Sequence, residues 1–161
     1  MPLQYSRGRP ILAAILLGAL SMAPALAHDG PHHTAVAADE LAFKPGPASL
    51  PPGAEIAVLH GDPSKEGQFV FRLKFPAGYE IPPHRHPKEE HVTVISGGFG
   101  MSTGETFDSG AAPLLPAGGF VRIPVGEAHF AWTEEATVVQ LNGIGPWGVE
   151  YLNPDDDPRN Q

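Results

Sequence analysis

The chain has 161 residues, with 10 lysines and arginines against 18 aspartates and glutamates, a formal net charge of −8 with histidine neutral. That balance argues against nucleic acid or an anionic membrane surface as a partner, since such polyanions are held by basic patches. The absence of cysteine removes disulfides and thiolate metal sites together, so stability rests on the one core that a chain of this length builds.

Met1 to Ala27 reads as a secretory signal. Arg7 and Arg9 precede the apolar run Ile11 to Leu20, and Ala25-Leu26-Ala27 has the small-x-small pattern of a signal-peptidase site. The run is short for a membrane span, and Gly8 separates the arginines, which favours a Sec-type over a twin-arginine route. The expectation is cleavage after Ala27, a periplasmic or secreted product and no membrane span after signal removal. Both early arginines and no acid lie in this segment, so the exported part is more acidic than the whole. His28, His32 and His33 follow, and a terminal amine beside an imidazole can bind copper. The low-complexity stretch after them favours a mobile tail with adventitious metal binding at most. Residues 28–52 are expected to be a flexible lead-in rich in proline and alanine, extended where proline is densest.

From Glu55 the pattern changes to short strands. Ile56 to Leu59 is apolar and closes at His60-Gly61-Asp62-Pro63, which turns His60 toward solvent. Gln68 to Phe75 alternates strictly, with Phe69, Phe71, Leu73 and Phe75 on one face, and predicts a half-buried strand. His84 and His86 stand two apart after Pro82-Pro83, a pair that disfavours helix, so on an extended backbone both imidazoles leave the same face. Glu90 to Ser96 is rich in β-branched residues and predicts a strand ending at Gly97-Gly98. Glu90, Val92 and Val94 share its inner face and His91 its outer one, unless Glu89 takes the place of Glu90. Imidazole and carboxylate together suit first-row divalent metals, and two histidines with one acid are a common set for iron.

Further strands are predicted at Phe99 to Met101, Phe120 to Ile123, Ala128 to Trp132 and Thr137 to Leu141, with a Gly/Ala/Pro-rich loop from Asp108 to Gly119. His129, second in its strand, can point inward. Phe130 and Trp132 share the opposite face and are expected to pack between sheets or subunits. Arg122 reads as a surface residue, Trp147 as the cover of a barrel end or a dimer contact, and residues 153–161 as a solvated acidic tail. No stretch after the signal has helical periodicity. The fold class is therefore all-β, an antiparallel barrel or double-sheet roll over 53–152.

Two constellations in this frame are similar to the two motifs of the cupin family. Gly78, His84, His86, Glu90 and Gly97 match G-x5-H-x-H-x3-E-x6-G, and Gly118, Pro124, Gly126 and His129 match G-x5-P-x-G-x2-H-x3-N, with Thr133 in place of the final asparagine. That last position is not a ligand in the family. The resemblance implies a double-stranded β-helix, or jelly-roll barrel, holding a divalent metal ion (Fe, Mn, Zn, Cu or Ni) through His84, His86, Glu90 and His129. Such a set leaves a charge of about +1 and two open positions on an octahedral ion, room for a bidentate oxygen ligand or for substrate plus dioxygen.

A small-molecule enzyme follows as the expectation, with dioxygenase-like oxidation of an oxygen-chelating substrate ahead of isomerase, lyase or decarboxylase chemistry in the same cage. Val92 and Val94 face the pocket, so Glu90 or a metal-bound water is left as the base. Val92 also stands where cupin lyases acting on dimethylsulfoniopropionate place a tyrosine, which discounts that subfamily. The alternative is a non-catalytic metal- or ligand-sensing module, as in the cupin portions of some anti-sigma factors. A homodimer is expected, because cupin barrels often pair through edge strands.

Overall fold

Alternating apolar residues organise the chain into two antiparallel sheets in the computed structural model, which describes residues 33–161. The signal segment 1–27, its cleavage point, His28 and His32 lie outside the described residues. His33 lies within them and is exposed. The strands are, in chain order, β1 (Lys44–Pro45), β2 (Glu55–His60), β3 (Gly67–Phe75), β4 (Glu80–Arg85), β5 (Glu90–Ser96), β6 (Gly98–Thr103), β7 (Leu115–Pro116), β8 (Phe120–Ile123), β9 (His129–Thr133), β10 (Thr137–Gly145) and β11 (Glu150–Tyr151). One sheet runs β1-β2-β3-β10-β5-β8 and the other β11-β4-β9-β6-β7, the jelly-roll arrangement. Helix among the described residues is limited to three 3-10 turns, at Ala38–Glu40, Pro154–Asp156 and Pro158–Asn160.

The alternation in β3 decides which side faces in. Phe69, Phe71, Leu73 and Phe75 are all buried, each contributing about 1.5–3 kcal/mol of burial relative to exposure. β10 pairs with β3 from Thr137↔Phe75 to Gly145↔Gly67 and with β5 on its other side, and β8 closes the far edge of β5. Held by ladders on both flanks, β5 is a rigid carrier for Glu90. It ends at Gly97, where φ is +76° and a Cβ would lie 2.6 Å from the Ala136 carbonyl oxygen, so only glycine makes the turn into β6.

β4 contains Pro82 and Pro83, which have no N–H to give to a ladder. Its pairing with β9 accordingly shifts register between Ile81 and His84, and the shift brings His84 opposite His129.

Three regions gain detail. Phe130 and Trp132 pack neither between the sheets nor into the pocket. They lie beneath Phe107 of the segment following β6, with ring centroids 5.4 and 6.4 Å away, because that segment folds over the outer face of β9. The acidic terminus is not merely solvated: Asn153 and Asp157 accept from the backbone N–H groups of Asp155 and Arg159, capping the two 3-10 turns, and Arg159 donates to the Val149 carbonyl at 3.0 Å. The lead-in, finally, is fixed at its far end. Leu50 belongs to the core, and the Tyr79 and Tyr151 hydroxyls donate to the carbonyls of Pro51 and Ser49, the latter at 2.8 Å.

Candidate metal centre

His84, near the end of β4, faces His129, the first residue of β9, with ring centroids 4.2 Å apart. His86 lies one residue past β4, and its ring is 4.9 Å from each of the others. Glu90 enters from β5 in the opposite sheet. All four residues are buried, none more than 4% exposed. The two sequence motifs are tied to one another through the backbone. Gly126 donates to the His86 carbonyl at 3.0 Å, its φ of +75° turning the N–H inward, while Gly118 donates to Val94 and Val94 to the Gly119 carbonyl at 2.8 and 2.9 Å.

Each imidazole is fixed in direction. Nδ1 of His84, His86 and His129 lies 2.7, 2.7 and 2.9 Å from the carbonyls of Pro82, Gly148 and Glu127. A carbonyl only accepts, so Nδ1 carries the proton in each ring and Nε2 presents a lone pair. The three rings offer nitrogens within 4.8 Å of one another, a group able to hold a metal ion. Glu90 Oε2 is 3.0 Å from His86 Nε2 and 4.0 Å from His129 Nε2. Despite those separations neither Nε2 makes a hydrogen bond within the protein, although both are buried. Buried polar atoms without partners are rare, and acceptors facing one another across 3.0 to 4.0 Å are spaced as ligands of one ion. A first-row divalent cation thus fits the donor set present.

Electrostatics favours the neutral form of two of the three imidazoles. Burial, reinforced by the neighbouring imidazoles, holds His84 well below the ordinary histidine value, and burial likewise lowers His129. Burial also opposes charging of His86, but the Glu90 carboxylate beside it overrides that and leaves it raised.

Above the cluster the walls are apolar: Phe71, Leu73, Phe75, Val92, Phe99 and Leu141 among others. The cavity volume is about 40 Å³, space for about three water molecules. Trp147, Pro47 and Leu50 are among the lining groups that the sequence did not flag as pocket residues. Trp147 stacks on His86 at 4.5 Å, inside the pocket mouth. Pro47 and Leu50 arrive from the lead-in and line the cavity. An apolar leucine within a proline-rich run was the available signal for that lining.

The remaining candidates lie elsewhere. His91 is on the outer face of β5, where it meets Glu89, and Glu89 pairs with Arg122 on the neighbouring strand. His60 is exposed at the end of β2.

The family model described as the ChrR cupin-like domain matches residues 31–147. Among curated proteins no relative matches the sequence. Among solved structures, the polyketide cyclase RemF of Streptomyces resistomycificus is 18% identical with a TM-score of 0.61, over 79% of this chain and 90% of that one. A proposed acetylacetone dioxygenase of Methylibium petroleiphilum PM1 is 20% identical with a TM-score of 0.60, over 83% and 90%. The acetylacetone dioxygenase of Acinetobacter johnsonii is 14% identical with a TM-score of 0.58, over 81% and 84%. At these identities the likeness establishes the fold. Among the described residues no helix is long and apolar enough to cross a membrane.

Proposed function

The chain belongs to the family of ChrR cupin-like domains, and on that footing we propose that it is a metal-dependent cupin of the cell envelope acting on a small oxygen-chelating molecule by dioxygenase-like oxidation. The support is the convergence of lone pairs from three oriented imidazoles with one carboxylate at the floor of an apolar pocket, two of those nitrogens having no partner in the protein. His84, His86 and His129 would hold the metal with Glu90 as fourth ligand. When bound, the metal would supply Lewis acidity and, if it is iron, manganese or copper, redox capacity.

The rest is done by the chain. The carbonyls of Pro82, Gly148 and Glu127 keep each imidazole in its ligating tautomer. The hydrocarbon walls exclude bulk water. Among the described residues Glu90 is the single carboxylate lining the cavity, so a proton released there has Glu90 as its acceptor at hand. The names of two structural neighbours single out acetylacetone, a small β-diketone, as the first compound to try.

Export by a Sec-type route rests on residues 1–27 and belongs to the proposal, as does pairing of two copies. For the latter, Val58, Ile95, Phe120 and Ile144 are exposed, and all four lie in the same sheet.

Oxygen consumption with acetylacetone, measured on protein loaded in turn with Fe, Mn, Zn, Cu and Ni, tests the reading. Uptake that requires a redox-active metal and vanishes in His86→Ala is the expected result. Uptake indifferent to the metal, or none with any, removes the dioxygenase. A second reading has an observation of its own: a cavity of about 40 Å³ whose donors are nearly sealed suits a sensing or storage site, for which the same experiment yields metal binding without turnover.

A further inference from the structure

The donors of the metal centre are at most 4% exposed, and the cavity beside them has room for about three water molecules. A hydrated divalent ion is larger than that, so a wall has to move before the site fills or empties. Most of the lining belongs to β3, β4, β5, β6, β9 and β10, and each of these strands has a paired neighbour on both sides. None of them leaves without breaking a row of backbone bonds.

Outside the strands the lining consists of His86 and two segments. The segment 147–149 is tied down at every residue. The Trp147 N–H donates to the Pro63 carbonyl at 2.7 Å, the Gly148 carbonyl accepts from His86 Nδ1 at 2.7 Å and the Val149 carbonyl accepts from Arg159 at 3.0 Å. Moving it would turn a ligating ring.

Residues 47–53 are attached differently. They form a loop closed by the Gly46 N–H, which donates to the Ala54 carbonyl at 2.8 Å, and Gly53 beside that closure has φ of +108°. Pro47, Pro51 and Pro52 have no N–H, and the Leu50 N–H is satisfied inside the loop by the Pro47 carbonyl at 2.9 Å. Among the described residues no main-chain bond joins residues 47–53 to the barrel. Two phenols do so instead: Tyr79 donates to the Pro51 carbonyl, and Tyr151 to that of Ser49 at 2.8 Å. Between these two points the Leu50 side chain is buried in the core and lines the cavity.

We propose that residues 47–53 are the gate of the metal centre: the loop lifts about Gly46 and Gly53, withdraws Leu50 as a plug, and so sets the rate at which metal enters and leaves. This deepens the metal-centre reading and rests on it. The gate carries none of the four donors, so its opening changes passage in both directions by one factor and leaves the affinity as it is.

The test uses the full chain with zinc as probe and reads rates, with no turnover involved. Zinc content of the wild type is measured first. Tyr79→Phe combined with Tyr151→Phe keeps both rings and deletes both hydroxyls. Uptake of zinc, and its release to excess chelator followed by stopped flow, are expected to accelerate together by about tenfold, with the dissociation constant of the wild type. Leu50→Ala trims the plug and leaves the phenols in place, and is expected to accelerate both rates as well. The two variants probe the gate independently, so misfolding of one leaves the other to decide. His91→Ala, on the outer face of β5, is expected to change neither rate. Release from the wild type is expected to be nearly flat in urea below the unfolding transition, because a local opening exposes little surface. Unchanged rates, faster release without faster uptake, or release that climbs with urea as global unfolding does overturns the gate while leaving the metal centre standing. Failure of the wild type to take up zinc overturns both, and is seen before any rate is measured.

Discussion

Two histidine–glutamate pairs sit on either side of β5, and their separations are nearly the same: His86 Nε2 to Glu90 is 3.0 Å and His91 Nε2 to Glu89 is 2.9 Å. Their surroundings are not. The inner side chains are 2% and 5% exposed, the outer ones 42% and 37%. Outside, Arg122 is the main group holding the Glu89 carboxyl below its usual range, with His91 assisting, and water screens all three. Inside, water is replaced by phenylalanines and valines, and a second imidazole, His129, stands 4.0 Å from the same carboxylate. Proximity of an acid to an imidazole is thus no mark of a site. Desolvation, together with lone pairs left unfilled, is what separates the two.

The largest effect that tests this contrast is His86→Ala against His91→Ala. The first is expected to abolish stoichiometric metal, read by elemental analysis, and the second to leave it intact; retention by the first would dissolve the contrast. Glu90→Gln keeps the shape and deletes the charge, and metal affinity is expected to fall by at least the roughly 10–100-fold that changes behind a ligand cause. Competitive chelation measures it.

Acidification gives a subtler separation in the metal-free protein. His84 and His129 are held below 6.5, so the stability they contribute is present above that value and lost as the pH falls below it. His86 is raised and works the other way, contributing below 6.5 and losing that contribution as the pH rises through its folded value. Two against one, melting of the apo protein is expected to move to lower temperature from about pH 7 to about pH 5, and His91→Ala should leave that slope unchanged. Thr133→Val removes a buried hydroxyl that donates to the Pro76 carbonyl at 2.7 Å and accepts from the Tyr79 N–H at 3.2 Å, an expected cost of about 1–3 kcal/mol in denaturant unfolding. Glu89→Gln is the smallest, within about 0.5 kcal/mol by the same measurement.

Strand class and the grouping of the site residues were legible because both depend on spacing. Period-two burial makes the inner face of β3 and β5 readable, and histidines two apart on an extended segment share a side. Thr133, where the motif departs from asparagine, takes over the tethering of the Pro76–Tyr79 turn, which a spacing rule does not express. Less legible were the contacts that join distant parts of the chain. Leu50 reaches the core and Trp147 reaches His86 through tertiary packing, and Phe130 and Trp132 are covered by a segment with no period of its own. The capped turns of the terminus are each a single turn, too short to leave a periodic trace.

The strand-free strap over the cavity is fastened by two phenols to main-chain carbonyls. Burial raises both hydroxyls, Tyr151 to about 12 and Tyr79 further, so neither clasp gains charge under physiological conditions. The segment is accordingly fastened by uncharged bonds, indifferent to mild acid, while the imidazoles below it answer to protons. The anchoring of this segment and the protonation of the cluster can then be altered by substitutions in separate places.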